Sequence, residues 1–268
     1  MTPYSEDFIQ DLNLIRDAAR AAGDLALAER ARGLKIWSKT GGSPVTHADM
    51  AVDALLKDTL LGARPDYGWL SEETADGPER LSCERIFIVD PIDGTVAYMK
   101  NAPWWCVPIA VVENGVPVAA VIHAPALDET FVATRGGGAF LNDRPITASD
   151  VTTLDDASVL ADARLLEGPI WPEPWPPMRF EKRNAIAYRM ALVAAGAFDA
   201  AIALTPKWDW DIAAGALIAE EAGGRVSDHH GRPWQFNRPD PRQSSLICAA
   251  PALHPLIVRR CAPIPLAE

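Results

Sequence analysis

Arg85-Ile86-Phe87-Ile88-Val89-Asp90-Pro91-Ile92-Asp93-Gly94-Thr95 is the stretch on which the reading of this chain turns. An apolar strand runs straight into Asp90, Pro91 turns the chain, and Asp93 follows three residues after the first acid. Proline lacks an N–H and fixes φ, so the chain leaves a sheet there at a set angle. Two carboxylates on one turn at a strand end, with the Ile92 carbonyl between them, are hard oxygen donors. Mg2+ takes such donors, and completes its shell with water or substrate phosphate. Gly94 allows close backbone approach, and Thr95 opens a helix whose N–H groups face an anion. An Asp-Pro turn followed by an Asp cap would explain the same residues without an ion, so the neighbouring sequence has to decide.

Upstream, Phe8, Leu12, Ile15, Ala19, Ala22 and Leu25 recur at helical spacing, predicting a helix from Ser5 to Arg32. Ser5 is its expected cap, Glu6 and Asp7 its acidic first turn, and Gly33 its stop. Thr40-Gly41-Gly42-Ser43-Pro44 reads as a loop, and Ala48 to Ala63 as a second helix ended by Pro65. The segments at 67–70, 85–89, 107–112 and 116–122 are short and rich in Val, Ile and aromatics. Glu113-Asn114-Gly115 joins the last two as a hairpin. A further pair, 130–134 and 139–141, is joined across Gly136-Gly137-Gly138. Two helices followed by mostly antiparallel strands predict an α+β fold.

Downstream the pattern is less regular. Gly168 to Pro177 holds five prolines and two tryptophans and suits neither helix nor central strand. Helices are expected at 185–195 and at 212–222, the latter closed by Gly223-Gly224, with short strands at 225–227 and 245–249. The TASDVTTLDD stretch suggests a boundary near 145–155, dividing the chain into domains 1–150 and 151–268.

Other acids sit at predicted element ends. Ser71-Glu72-Glu73 follows a strand, although an acidic surface turn would look the same. Asp211 in Trp208-Asp209-Trp210-Asp211 is placed to cap the helix after it, in unusually apolar company. Thr46-His47-Ala48-Asp49 matches a capping box, which by itself accounts for Asp49. Each acid has a structural explanation; their joint placement is harder to explain that way.

The chain has 268 residues, 36 acids and 25 bases, for a formal net charge of −11. Such a balance argues against a general partner among nucleic-acid polymers. No apolar run is long enough for a membrane span, and the first residues lack the basic and apolar regions of a signal peptide, so a cytoplasmic enzyme is expected. Cys83, Cys106, Cys248 and Cys261 show no metal or disulfide spacing, and His47, His123, His229, His230 and His254 no zinc pattern.

Together these segments resemble the inositol-monophosphatase superfamily of metal-dependent, lithium-sensitive phosphomonoesterases. Asp90-Pro91-Ile92-Asp93-Gly94-Thr95 is similar to its D-P-[IL]-D-G-T signature. Trp210-Asp211-Ile212-Ala213-Ala214-Gly215, running on to Glu221-Ala222-Gly223-Gly224, is similar to its second signature. Ser43-Pro44-Val45-Thr46 with Asp49, and Ser71-Glu72-Glu73, match two minor ones. The resemblance implies a layered α-β-α-β-α sandwich, a homodimer, and two or three Mg2+ ions around a substrate phosphate. It implies metal ligation by Glu72, Asp90, Asp93, Asp211 and the Ile92 carbonyl. Thr95 with Glu72 would orient or deprotonate a water, and Asp49 would bond the Thr95 hydroxyl. The Gly94 and Thr95 amides, with Asp93 and Asp211, would contact substrate.

The sequence departs from the inositol pattern in one place. Inositol phosphatases carry a glutamate before the second signature, whereas Ala200 to Trp208 contains no acid and offers Lys207. Lys207, with Tyr188 and Arg189, is similar to bacterial 3′(2′),5′-bisphosphate nucleotidases, which take the 3′-phosphate from phosphoadenosine phosphate. Inositol monophosphatase and histidinol phosphatase remain alternatives, and a non-catalytic metal-binding regulator or scaffold dimer is a reading of another class. Trp104, Trp105, Trp171 and Trp175 fit core or interface better than an adenine platform.

Overall fold

The computed structural model describes residues 6–39, 42–166 and 171–266. The Ser5 cap, Thr40-Gly41 and Gly168 to Ile170 lie outside the described residues. The chain runs through α1 (Glu6–Arg32), β1 (Ile36–Ser38), β2 (Pro44–Thr46), α2 (His47–Ala63), β3 (Gly68–Ser71), β4 (Arg85–Val89) and α3 (Thr95–Met99). β5 (Val107–Glu113), β6 (Val116–Ala124), β7 (Glu129–Thr134), β8 (Gly138–Leu141) and β9 (Arg144–Pro145) follow. The second half holds β10 (Ser158–Leu160), α4 (Ala163–Leu166), β11 (Arg179–Glu181), α5 (Ile186–Ala194), β12 (Ala200–Ala203) and β13 (Lys207–Trp208). It closes with α6 (Asp209–Glu221), β14 (Arg225–Ser227), β15 (Arg242–Gln243), β16 (Leu246–Ala249) and α7 (His254–Cys261).

Among the described residues, β3 to β9 form one sheet in sequence order, and a second sheet runs β11-β10-β12-β16-β14. The first is antiparallel except at β3–β4, which pair in parallel. The Asn114-Gly115 turn adopts positive φ at both residues, the geometry that follows the natural twist of a hairpin. Strand alternation sorts the core into layers. Phe87, Val89, Val107, Ile109, Val111 and Val121 face α1 and α2, while Ile86, Ile88, Ala110, Val112, Ala120 and Ile122 face α5 and α6. The second sheet repeats the division. Leu160, Ala201, Ala203 and Cys248 meet α5 and α6, and Val159, Ala200, Ile202 and Ile247 meet α4 and α7. The order is therefore α-β-α-β-α, as expected.

Several expectations need correction. The second half carries β10, β11 and β12, which the sequence did not announce because each is only 3 or 4 residues long. α6 begins at Asp209, not Ile212, and its N-cap is Trp208. Asp211 is the third residue of the helix and reaches back to accept the Trp208 N–H at 2.9 Å. Its carboxylate caps the helix from inside. Trp105 is fully buried, and Trp171 and Trp175 pack against the outer core layer.

Candidate active site

The site residues come from four segments that the layers bring to one sheet end. Asp90 follows β4 directly, and its Oδ1 accepts the Ile92 N–H at 2.9 Å, which tightens the Pro91 turn. Asp93 then bridges backwards, exchanging backbone hydrogen bonds with Cys106. Its carboxylate accepts the Ile186 N–H at 3.1 Å and the Ala187 N–H at 2.6 Å. α5 has no cap of its own, so Asp93 supplies one across 93 residues of sequence. Gly94 has φ 91°, and a Cβ there would meet Ala185 and the Trp104 carbonyl, so only glycine fits the step from Asp93 into α3.

α2 contributes from the other side. The Thr46–Asp49 capping box forms as expected, with Asp49 Oδ2 accepting the Thr46 N–H at 2.8 Å and its hydroxyl at 2.6 Å. Asp49 Oδ1 is thereby aimed at Thr95, whose Oγ1 lies 3.3 Å away and 3.1 Å from the Ile92 carbonyl. A hydroxyl has one hydrogen to give and two lone pairs to accept with, so Thr95 retains acceptor capacity. Glu72 and Glu73 both close on Lys39 Nζ at 2.7 Å. Burial works against the Lys39 charge, but the bonds to Glu72 and Glu73 outweigh it and hold its pKa above the usual range. Lys39 was not singled out from sequence, because a hairpin that no local pattern connects to Glu72 and Glu73 brings it to them.

Burial and mutual repulsion raise the acids. Asp90 is pushed well above the carboxylate range by burial and then by Glu72, Asp93, Asp211 and Asp49. Burial and Asp93 push Asp211 up to about 7, and burial lifts Asp93 to about 6 against its two backbone donors. Among the described residues no three His, Cys, Asp or Glu side chains converge tightly enough to hold an ion as they stand. The donor set nevertheless fits a hard divalent cation. It consists of the buried Asp90 and Asp93 with the half-buried Glu72 and Asp211, which repel one another and keep lone pairs unspent, and such a set is stabilised by positive charge.

The residues expected at the substrate divide. Lys207 Nζ bonds Thr205 Oγ1 at 2.8 Å and lies close enough to Asp211 to feel its charge, although burial lowers its pKa. The Arg189 guanidinium is turned to the Arg183 carbonyl, and Asp93 also acts on it electrostatically. Tyr188 points away from the other two. Its ring is buried against Phe131 and its hydroxyl donates to Glu129 at 2.8 Å, so it belongs to the core. Asp199, the nearest acid before Asp209, is committed to Ser149 and Ser158.

The inositol monophosphatase family model matches residues 10–264. The chain belongs to that family. Similar proteins include the Nus factor SuhB of Xylella fastidiosa, 32% identical, with 82% of each chain covered. A histidinol-phosphatase of Mycobacterium tuberculosis is 37% identical, covering 77% of this chain and 86% of that protein. Among solved structures, a Thermotoga maritima IMPase superposes with a TM-score of 0.81 at 28% identity, covering 95% of this chain and 97% of that one. This family member is thus a phosphatase, a phosphoric monoester hydrolase acting on small phosphorylated substrates. Among the described residues no helix is long and apolar enough to cross a membrane.

Proposed function

We propose that the chain is a Mg2+-dependent phosphomonoesterase whose preferred substrate carries a second anionic group, with 3′(2′),5′-bisphosphate nucleotides first. The observation that carries the reaction is the Thr46–Asp49–Thr95 hydrogen-bond chain beside a group of buried, mutually repelling carboxylates. Glu72, Asp90, Asp93, Asp211 and the Ile92 carbonyl would hold two or three Mg2+ ions. When bound, Mg2+ supplies Lewis-acid chemistry, activating water and screening the phosphate charge. Thr46 fixes Asp49, Asp49 fixes the Thr95 hydroxyl, and Thr95 orients the attacking water through its free lone pair. Glu72 takes the proton from that water as the new P–O bond forms and the ester P–O bond breaks opposite it, and the leaving alkoxide takes up a proton from solvent water to depart as the alcohol. The Gly94 and Thr95 amides hold phosphate oxygens as charge builds on them.

Two observations support the second anion. Lys207 brings a cation close enough to Asp211 to act on its charge, while Ala200 to Trp208 contains no acid and Asp199 before it is bonded to Ser149 and Ser158. A cavity of about 530 Å³ is lined by Pro206, next to Lys207, and by Arg232, Arg238 and Arg242, of which Arg232 and Arg242 are paired with Asp228 and Asp240, so Arg238 is the cation it offers outside those pairs. The test is a comparison of kcat/KM for phosphoadenosine phosphate, inositol 1-phosphate, histidinol phosphate and fructose 1,6-bisphosphate, with Mg2+ and after chelation. Lys207→Ala should lower kcat/KM for the bisphosphate nucleotide by about 10-fold, and for a simple monophosphate far less. A preference for inositol 1-phosphate would overturn the substrate and leave the metal site standing. The cytoplasmic location and the homodimer belong to the same proposal.

A further inference from the structure

α2 carries two buried acids one helical turn apart, and the mechanism uses only the first. Asp49 and Asp53 stand at i and i+4 and share a face. Asp53 is 6% exposed. Its Oδ1 accepts the Ser71 hydroxyl at 2.5 Å and its Oδ2 accepts the Thr74 hydroxyl at 2.6 Å. Thr74 Oγ1 also accepts the Trp69 indole N–H at 3.2 Å. Ser71 and Thr74 bracket Glu72 and Glu73, so one carboxylate holds both ends of the turn that bears those two acids.

The placement is costly without such a purpose. Asp53 is the seventh residue of α2, beyond the first turn, where the helix dipole offers a carboxylate little. A buried charge is tolerated only when hydrogen-bonded, and here both oxygens are bonded to the same four-residue turn. The turn also needs holding. Glu72 and Glu73 are adjacent carboxylates that share the single Lys39 ammonium, each at 2.7 Å, so their directions have to be set together. We infer that Asp53 is a positioning residue: by clamping Ser71 and Thr74 it fixes the direction in which Glu72 and Glu73 present their carboxylates. α2 thereby sets both halves of the site, Thr95 through Asp49 and the Glu72-Glu73 turn through Asp53. The inference rests on the functional reading of Glu72 given above.

Two readouts separate the clamp from that reading. In metal-free protein, Asp53→Asn should speed amide hydrogen exchange over residues 71–75 while leaving the Asp90–Asp93 turn unchanged. With Mg2+ alone, titrated by calorimetry, the same variant should bind about 10- to 100-fold more weakly. Its kcat at saturating Mg2+ should fall as well, by about 10-fold, because Glu72 is the base as well as a ligand. Thr74→Val, which removes one bond and keeps the acid, should move both readouts less in the same direction. Asp11→Asn is the structural control: Asp11 is equally buried but bonded to Arg64 and Tyr67, so it should lower Tm without moving the Mg2+ midpoint. An Asp53→Asn protein with the wild-type Mg2+ midpoint overturns the inference, whatever its Tm. Wild-type protein that takes up no Mg2+ overturns the functional reading, and exchange over 71–75 then judges the clamp alone, with unaltered rates overturning it too.

Discussion

Replacing Asp90 by asparagine removes a buried carboxyl whose ionisation is opposed by burial and by Glu72, Asp93, Asp211 and Asp49. Asp90→Asn should therefore fold, and its metal-free Tm should equal or exceed that of wild type, while phosphate release falls by at least about 100-fold. Wild-type turnover at saturating Mg2+ would overturn the assignment. Thr95→Val should lower kcat by about 10²- to 10⁴-fold with little change in the Mg2+ midpoint, and Thr95→Ser should recover most of the loss. Unchanged kcat in Thr95→Val would remove Thr95 from the mechanism. Asp90, Ile92, Asp93, Gly94 and Thr95 were legible in the sequence because they lie on one turn, where residue types and spacing carry the geometry. Lys39 was not, since it meets Glu73 across 34 positions of sequence. The orientation of Tyr188 was hidden for a further reason. All nine residues of α5 are buried, so periodicity could not say which of its faces meets the site.

At the scale of elements, α1 presses on the β6–β7 connection through a glycine. A Cβ on Gly23 would lie 2.6 Å from Pro125 Cγ and 2.8 Å from His123 Cδ2. Helix propensity alone would make Gly23→Ala stabilising by about 1 kcal/mol. The close packing reverses the sign, and a net destabilisation of about 1–3 kcal/mol is expected from denaturant unfolding. A stabilised variant would show that α1 can shift without cost. The long amphipathic helices and the strands of the first sheet were legible, since each spans enough residues to show its period. β13 and β15, of two residues each, have no period to show and exist because their neighbours hold them. The early start of α6 was equally hidden. Asp209 is buried in its first turn because the Asn237 N–H and the Gln243 amide reach it from a distant loop.

For the whole molecule, the raised acids make stability depend on pH and metal together. Glu73 and Asp211 at about 7 and Asp93 at about 6 hold protons that the unfolded chain has released above about pH 4. Their contribution is fully present below that value and is lost as pH rises through 7. His254 acts in the opposite sense. Burial lowers it to about 4, so its contribution is present above about 6.5 and lost as pH falls toward 4. Three acids outweigh one histidine, so metal-free Tm should fall as pH rises from about 5 to 7 and level off above, and the Mg2+-induced rise in Tm should be larger at pH 8 than at pH 6. A rise independent of pH would mean that the acids do not face the ion. The bond from Asp93 to the first turn of α5 has a kinetic consequence as well. It ties the 90–95 turn to a helix almost a hundred residues later, so the carboxylates reach their final arrangement only after the middle helical layer has docked. Loop closure over that span is slow compared with forming local turns. During refolding, far-ultraviolet ellipticity should return first and Mg2+-dependent phosphate release last.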